Sequence, residues 1–108
     1  MRVLAGIYKS KKIETINNAD TRPMMSKVRE AIFNSIQFMV EDKDVLDLYS
    51  GSGSLGIEAL SRGANYVTFV EFSKECILIL KKNVENMSSN LSICLLYTSD
   101  AADELLCV

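Results

Sequence analysis

The sequence predicts an α/β fold with a doubly wound parallel sheet. The runs 44–49 and 66–71 are short and apolar, as in buried strands, and each is followed by a segment of helical periodicity. Three glycines stand between the first run and its helix. Strand, helix, strand, helix in this order gives adjacent parallel strands when the crossover is right-handed. The length of 108 residues fits one domain.

The segment before the first strand predicts a β-hairpin and a helix. Residues 2–15 hold two β-favouring runs around the turn K-S-K-K, and residues 16–23 are rich in turn formers. From 25 to 39 an amphipathic helix is predicted by apolar residues at helical spacing: Val28, Ile32, Ile36 and Met39. We therefore expect three parts: a basic hairpin plus helix (1–40), the first half of the sheet domain (41–93) and a tail (94–108).

The sheet domain can be predicted element by element. The first strand is apolar enough to predict burial on both faces. The helix over 54–62 is expected to end at Gly63, where a left-handed backbone is needed. The strand over 66–71 precedes a helix capped by Ser73. The apolar face of that helix comprises Ile77, Leu80, Val84 and Met87.

Composition excludes several classes of protein. Hydrophobic residues make up 48% and charged residues 24% of the chain, which is ordinary globular composition. No apolar run approaches the ~20 residues of a membrane span, and a secretory signal is absent, so we expect a cytoplasmic protein. The three cysteines are unpatterned and predict free thiols. Without histidine, neither histidine catalysis nor a metal site is expected.

The charge is distributed unevenly. Residues 1–35 carry seven basic against three acidic side chains, a net of +4, whereas residues 36–108 carry five against eleven, a net of −6. A basic segment on an acidic body indicates contact with a polyanion. A solvated hairpin with surface lysines would have the same composition.

The glycines at 51, 53 and 56 have the spacing G-x-G-x-x-G between a strand and a helix. Such a turn places backbone N–H groups at the carboxyl edge of the sheet, where α/β proteins bind ligands. Glu71 follows Gly51 by 20 residues, at the end of the next strand, where a carboxylate can accept from ribose hydroxyls. The pattern indicates a nucleoside-containing ligand. The alternative is a buried turn whose glycines serve only close packing.

Asp47 distinguishes between nucleoside ligands. It lies at the end of the strand, ahead of the first glycine, where it would repel a pyrophosphate by about 1 kcal/mol or more at about 4 Å. S-adenosylmethionine carries an ammonium and a sulfonium but no phosphate, so Asp47 favours this ligand. The alternative is an acid bound to the N–H groups of its own loop.

Three stretches resemble the RsmD family of bacterial class I methyltransferases. They read RVLAGIYKSKKIET, then TRPMMSKVREAIFNSI, then VLDLYSGSGSLGIEALSRGANYVTFVE. The resemblance covers about residues 1–90, the first half of a family member. It implies a Rossmann-like sheet, here incomplete, and transfer of a methyl group from S-adenosylmethionine to the exocyclic N2 of a guanine in 16S rRNA.

The resemblance also implies roles for individual residues. Asp47, Gly51 and Gly53 would contact the methionine portion of the cofactor, and Glu71 would hold its ribose. Thr21 and Arg22 match the segment that runs over the cofactor pocket, although residues 24–26 depart from the family pattern. The rRNA phosphates would be held by the basic arm, represented by Arg2, Lys9, Lys11 and Lys12. We expect a monomer.

The catalytic motif of the family, D/N-P-P-[YF], needs two prolines, and this chain has one, Pro23. We therefore assign no catalytic residue. The run CLLYTSDAADE from Cys94 looks like a translated sequencing-library adapter, which would make residues 94–108 a non-native tail. The rival interpretation is a third strand, a loop and a helix start, with Asp100 accepting from the adenine amine.

Two other functions remain open from the residues alone. One is a fragment of a dinucleotide-binding oxidoreductase. The other is a non-catalytic RNA-binding module built on the basic arm.

Overall fold

The computed structural model describes residues 1–15, 26–48 and 50–87 in full, and the backbone of residues 93–99 and 102–107. Its elements, in chain order, are α1 (Ser26–Val40), β1 (Asp44–Leu48), α2 (Ser54–Ser61), β2 (Tyr66–Glu71), α3 (Lys74–Met87), β3 (Ile93–Ser99) and β4 (Ala102–Cys107). The strands form one sheet in the order β1-β2-β3-β4. The first three strands are parallel and β4 is antiparallel to β3. The predicted α/β order is confirmed.

The core lies between the sheet and the helices that follow its strands. Val67 and Phe69 on β2 are fully buried in one cluster with residues of α2 and α3. Helix α2 connects β1 to its parallel neighbour β2, and α3 connects β2 to its parallel neighbour β3. Because both connections step along the sheet in the same direction and such crossovers are right-handed, α2 and α3 cover the same face of the sheet. The predicted apolar face of α3 is confirmed as buried, and Cys76 on the same helix is buried and in no disulfide with the described residues.

The prediction that β1 is buried on both faces is wrong. Leu46 and Leu48 are 59% and 58% exposed, whereas Asp47 between them is buried. Because β2 is the one partner of β1 among the described strands, β1 is an edge strand of this sheet. Its side chains alternate across the sheet, and the described helices cover one face only.

The length of α1 agrees with the prediction, but the predicted buried face is wrong. Val28, Ile32 and Met39 are 47%, 36% and 67% exposed. The buried positions of this helix are instead Arg29, Phe33 and Val40. The helix packs against α2 through Phe33 and Val40, in a cluster with Ala59 of α2. Ile32, Ile36 and Met39 of the predicted stripe line an open groove of about 420 Å³ between α1 and β1.

The N-terminal arm, residues 1–15, reverses direction without forming regular strands. Its two sides pair at an isolated antiparallel bridge, Arg2 with Lys12. On either side of this bridge, Val3 N–H donates to Lys11 O at 2.9 Å and Ile13 N–H donates to Met1 O at 2.8 Å. At the turn of the arm the backbone binds α2: Ile7 N–H donates to Ser61 O at 2.9 Å and Tyr8 N–H to Ser61 Oγ at 2.9 Å. The predicted hairpin is therefore confirmed in a short form.

The remaining predictions concern the ends of elements. Helix α2 ends as expected, with Arg62 as C-cap and Gly63 at φ +106°. Residues 93–99 form a strand, as the native-protein interpretation of the tail expected, but residues 102–107 form β4 and not a helix. In the described part of the chain, no helix has the length and apolar character to span a membrane.

Candidate ligand site

The candidate site lies at the carboxyl ends of β1 and β2, in the turn that leads into α2. Ser50 fixes this turn to β2, because its N–H and its hydroxyl both donate to Val70 O at 3.0 Å. Gly53 N–H donates to Ser50 O at 2.8 Å and closes the turn. Gly53 is also the N-cap residue of α2, with no side-chain cap. The first N–H groups of α2 are therefore presented at this edge of the sheet.

The three glycines of the turn have different reasons to be glycine. Gly51 (φ +58°) and Gly53 (φ +86°) both adopt left-handed backbone conformations. A Cβ at Gly53 would lie 2.3 Å from Leu80 Cδ1, and one at Gly56 would lie 2.3 Å from Phe69 Cε1. A Cβ at Gly51 would meet nothing within 4 Å. Gly53 and Gly56 thus permit close packing, and Gly51 borders open space that a ligand can occupy.

Glu71 holds the turn through its carboxylate. Its Oε1 accepts from Gly51 N–H at 2.8 Å, and its Oε2 accepts from Phe72 N–H at 2.8 Å and Ser73 N–H at 2.7 Å. The residue is 7% exposed, so it is not a free acid at a strand end. A carboxylate accepts about four hydrogen bonds, so these three leave room for about one hydroxyl without rearrangement.

Asp47 is the buried acid of the site, with 8% of its surface exposed. Its Oδ2 accepts from Gly56 N–H at 3.1 Å. The alternative interpretation of Asp47, an acid bound to an N–H group of its own loop, therefore describes a bond that is present. Burial raises the pKa of Asp47 to about 6, the Gly56 hydrogen bond opposes this rise, and the negative charge of Glu71 adds to it. One backbone N–H does not compensate this carboxylate for its desolvation.

The electrostatics of the site favour a cation. Asp47 and Glu71 are both buried and interact unfavourably with each other. A positively charged ligand group beside them would reduce the repulsion and lower the pKa of Asp47. A phosphate would add to the repulsion. In the described part of the chain, no group of His, Cys, Asp or Glu is placed to hold a metal ion.

Among the buried polar residues that were not predicted from the sequence, Glu58 and Asn83 each join separate parts of the fold. Glu58 on α2 is fully buried and accepts from Leu4 N–H at 2.9 Å, Ala5 N–H at 3.1 Å and Arg62 Nε at 2.9 Å. Arg29 of α1 lies 3.7 Å from the same carboxylate. Burial lowers the pKa of Arg29, and Glu58 opposes the change. Glu58 thus joins the arm, α1 and α2.

Asn83 is the second such residue and is fully buried on α3. Its Nδ2 donates to Glu14 O and to Ser52 O, each at 2.8 Å. The signal available in the sequence was its position: Asn83 falls on the apolar stripe between Leu80 and Val84, where a polar side chain must find partners.

The predicted RNA-binding residues lie on the surface of the arm. Arg2, Lys9, Lys11 and Lys12 are all exposed. The Lys11 ammonium lies 5.9 Å from the centre of the Tyr8 ring. The turn of the arm is bonded to Ser61, the last residue of α2, whereas the glycine turn lies just before Ser54, the first residue of α2. The eight residues of this helix span about 12 Å. Lys9 and Lys11, in the turn of the arm, are therefore separated from the glycine turn, whereas the end of the arm at Glu14 is linked to it through Asn83. Thr21 and Arg22 lie outside the described residues.

This fold and site define a class of α/β proteins whose solved structures include chains named as methyltransferases. A solved Escherichia coli chain named "Putative methyltransferase yhhF" superposes with a TM-score of 0.73 at 31% identity, covering 86% of this chain and 50% of its own. A methylase structure from Haemophilus influenzae gives a TM-score of 0.66 at 34% identity, over 91% of this chain and 51% of that one.

The family follows from the sequence comparisons. The model of the family described as Conserved hypothetical protein 95 matches residues 1–107, and the chain belongs to that family. A curated relative, the ribosomal RNA small subunit methyltransferase D of Haemophilus influenzae, is 39% identical over 87 residues. The protein of that name in Escherichia coli is 33% identical over 89 residues. These matches confirm the resemblance to the RsmD family. The chain spans about half the length of these relatives, 45% in each case.

Proposed function

We propose that the chain is the cofactor-binding half of an S-adenosylmethionine-dependent methyltransferase that acts on the exocyclic N2 of a guanine in 16S rRNA. The observation that carries the proposal is the buried Asp47 carboxylate beside Glu71, whose pKa is raised to about 6, at the same edge of the sheet as the open space at Gly51. A ligand with positive charge and a ribose fits these groups. The relatives named rRNA methyltransferases support the same assignment.

The residues of the site would divide the work of binding. Asp47 would face the positively charged methionine portion, Gly51 would let it approach the backbone, and Glu71 Oε1 would accept from one ribose hydroxyl while keeping its bond to Gly51 N–H. S-adenosylmethionine, when bound, supplies an activated methyl group. The contribution of this chain is to fix its position, since in-line geometry accounts for much of such a rate enhancement.

The target and the tail are part of the proposal. The exposed cations of the arm would hold rRNA phosphates in the cytoplasm. Since the chain has one proline, the D/N-P-P-[YF] motif is absent and we expect no turnover by these 108 residues.

Residues 94–108 are proposed to be non-native, because eleven consecutive residues resemble a translated sequencing-library adapter. Ordinary coding sequence across Cys94–Glu104 would contradict that assignment.

A chimera tests the function directly. Residues 1–87 of this chain would replace the matching segment of the Haemophilus influenzae relative, which would keep its own C-terminal half. We expect the chimera to transfer a tritiated methyl group to 16S rRNA at guanine N2, and the same chimera with Asp47→Asn to be at least tenfold slower at subsaturating cofactor. A folded chimera that labels no RNA, while the intact relative does, would overturn the proposal.

The dinucleotide alternative predicts the opposite ligand preference. The paired carboxylates count against it, because a pyrophosphate beside Asp47 and Glu71 would be repelled.

A further inference from the structure

Asn83 connects two parts of the molecule that are far apart in sequence. Its Oδ1 accepts from Glu14 N–H at 2.8 Å, and its Nδ2 donates to Glu14 O at 2.8 Å. The same Nδ2 donates to Ser52 O at 2.8 Å. Glu14 belongs to the basic arm, and Ser52 lies between Gly51 and Gly53. One fully buried side chain thus bonds both the arm and the glycine turn.

The bonds are matched to the capacity of the amide. Both Nδ2 hydrogens are donated and the oxygen accepts, so the buried group is well satisfied. Displacement of either backbone partner would leave a buried polar atom without a bond, which is unfavourable. The positions of Glu14 and Ser52 are therefore interdependent. Because Gly51 precedes Ser52, a fixed Ser52 also orients the Gly51 N–H that Glu71 binds.

We propose that Asn83 is a positioning residue that couples the basic arm to the glycine turn, so that RNA bound at the arm and cofactor bound at the turn strengthen each other. This inference rests on the proposed function. An arm held in place by RNA would keep Glu14 on Asn83 and so order the turn before the cofactor binds. Thermodynamic linkage requires the cofactor to improve RNA affinity by the same factor.

The chain contains matched controls for this role. Lys82 Nζ lies 3.2 Å from Glu14 Oε2, and this exposed ion pair links α3 to the arm without reaching the turn. Lys82→Gln therefore removes an arm contact only. Val84→Ala removes buried apolar volume from the same helix and has no bond to either segment. Asn83→Leu keeps the branched shape of the side chain and removes all three hydrogen bonds, and Asn83→Asp keeps only the acceptor for Glu14 N–H.

The first measurement uses the 108-residue chain without any ligand. Amide hydrogen exchange is followed at Gly51 and Gly53, whose N–H groups are bonded to Glu71 and Ser50. We expect Asn83→Leu and Asn83→Asp to accelerate exchange at both amides at least tenfold relative to Val84→Ala at equal global stability. Lys82→Gln should leave both rates within twofold. Equal turn exchange in Asn83→Leu and Val84→Ala would overturn the coupling.

An arm-side variant covers the case in which the Asn83 variants do not fold. Ile13 is 1% exposed and precedes Glu14, so Ile13→Ala loosens the arm while leaving Asn83 intact. We expect faster exchange at Gly51 and Gly53 in this variant as well. Unchanged exchange in the turn, with faster exchange in the arm, would show that the arm and the turn are independent.

The second measurement is the linkage itself. The Kd of S-adenosylhomocysteine is measured with and without saturating 16S rRNA, and we expect the RNA to lower it about fivefold in the native chain and not at all in Asn83→Asp. An equal effect of RNA in both proteins would contradict the proposal. If the native chain binds no S-adenosylhomocysteine, the proposed function fails, and the exchange experiment still decides whether Asn83 couples the arm to the turn.

Discussion

Replacement of Asp47 by asparagine should stabilise the fold and weaken ligand binding at the same time. The side chain is 8% exposed and its pKa is raised to about 6, against an ordinary value of 3.8. Such a rise means that ionisation is about 3 kcal/mol less favourable in the folded chain than in the unfolded chain. The asparagine side chain would keep an oxygen for Gly56 N–H and carry no charge. We expect Asp47→Asn to raise the free energy of unfolding by about 1–3 kcal/mol at about pH 7.5. The gain can fall short of the full ~3 kcal/mol because the new NH₂ group needs a hydrogen-bond partner.

The sign of the effect fixes its pH dependence. Because the folded pKa is the higher one, the contribution of Asp47 to stability is fully present below about pH 4 and is lost as the pH rises through about 6. The stability difference between the Asp47→Asn variant and the native chain should therefore grow from about pH 4 to about pH 7 and then level off. Urea denaturation at a series of pH values measures it.

The predicted loss of ligand binding is measured on the same Asp47→Asn variant. The lost charge should raise the Kd of S-adenosylmethionine at least tenfold, since hydrogen bonds and ion pairs to a charged group contribute about 1.5–3 kcal/mol. Asp44→Asn is the control, because it removes an exposed acid from the same strand and should change stability by no more than about 0.5 kcal/mol. An Asp47→Asn variant that is less stable at about pH 7.5, or that binds the cofactor as well as the native chain, would refute the reasoning.

Three further predictions concern the turn, the Glu58 cluster and the arm. Gly53→Ala should lower the free energy of unfolding by about 2–5 kcal/mol and Gly51→Ala by about 1–2 kcal/mol, as measured by urea denaturation. Both substitutions strain a left-handed backbone, but only Gly53→Ala also adds a clash with Leu80. Equal losses would contradict the packing role of Gly53. Glu58→Gln should cost about 3–5 kcal/mol, since Arg29 would lose its buried countercharge; a loss below about 1 kcal/mol would contradict it. The triple replacement of Lys9, Lys11 and Lys12 by glutamine should reduce the steepness with which the logarithm of the RNA association constant falls with the logarithm of the salt concentration, by about 2–3. The control Lys27→Gln should leave this slope nearly unchanged. An unchanged slope in the triple variant would exclude the arm as the RNA-binding surface.

The sequence predicted the elements that depend on local periodicity and chain order. The bounds of β2 and the buried face of α3 follow from alternation and helical spacing, and Gly63 follows from the backbone needs of a helix end. The order of strands and helices then determines the parallel pairing of β1, β2 and β3.

The errors concern partners that no local pattern specifies. The exposure of Leu46 and of the stripe on α1 depends on which elements cover them, and the described residues leave one face of β1 open. The hairpin of the arm is shorter than a regular ladder, because the N–H groups of Leu4 and Tyr8 bind Glu58 and Ser61, more than 50 residues away in sequence. Long-range polar contacts of this kind are not encoded in spacing.

The proximity of the candidate site residues was predicted from the sequence, their internal bonds were not, and their role in binding stays a prediction. Asp47, Gly51, Gly53 and Glu71 are placed together at one edge of the sheet, and the glycine spacing was sufficient to find them. The three N–H groups on Glu71 and the single one on Asp47 depend on turn geometry that the spacing does not determine.

An NMR titration of the ¹⁵N-labelled chain tests the central claim, that this turn binds an adenosyl ligand with positive charge and not a dinucleotide. S-adenosylhomocysteine, which retains the ammonium, and NAD are added separately, and the Gly51 and Gly53 amide signals are followed. We predict saturable shifts of both signals with S-adenosylhomocysteine at lower concentrations than with NAD. Tighter binding of NAD at these amides, or no shift with S-adenosylhomocysteine at millimolar concentration, would contradict the account.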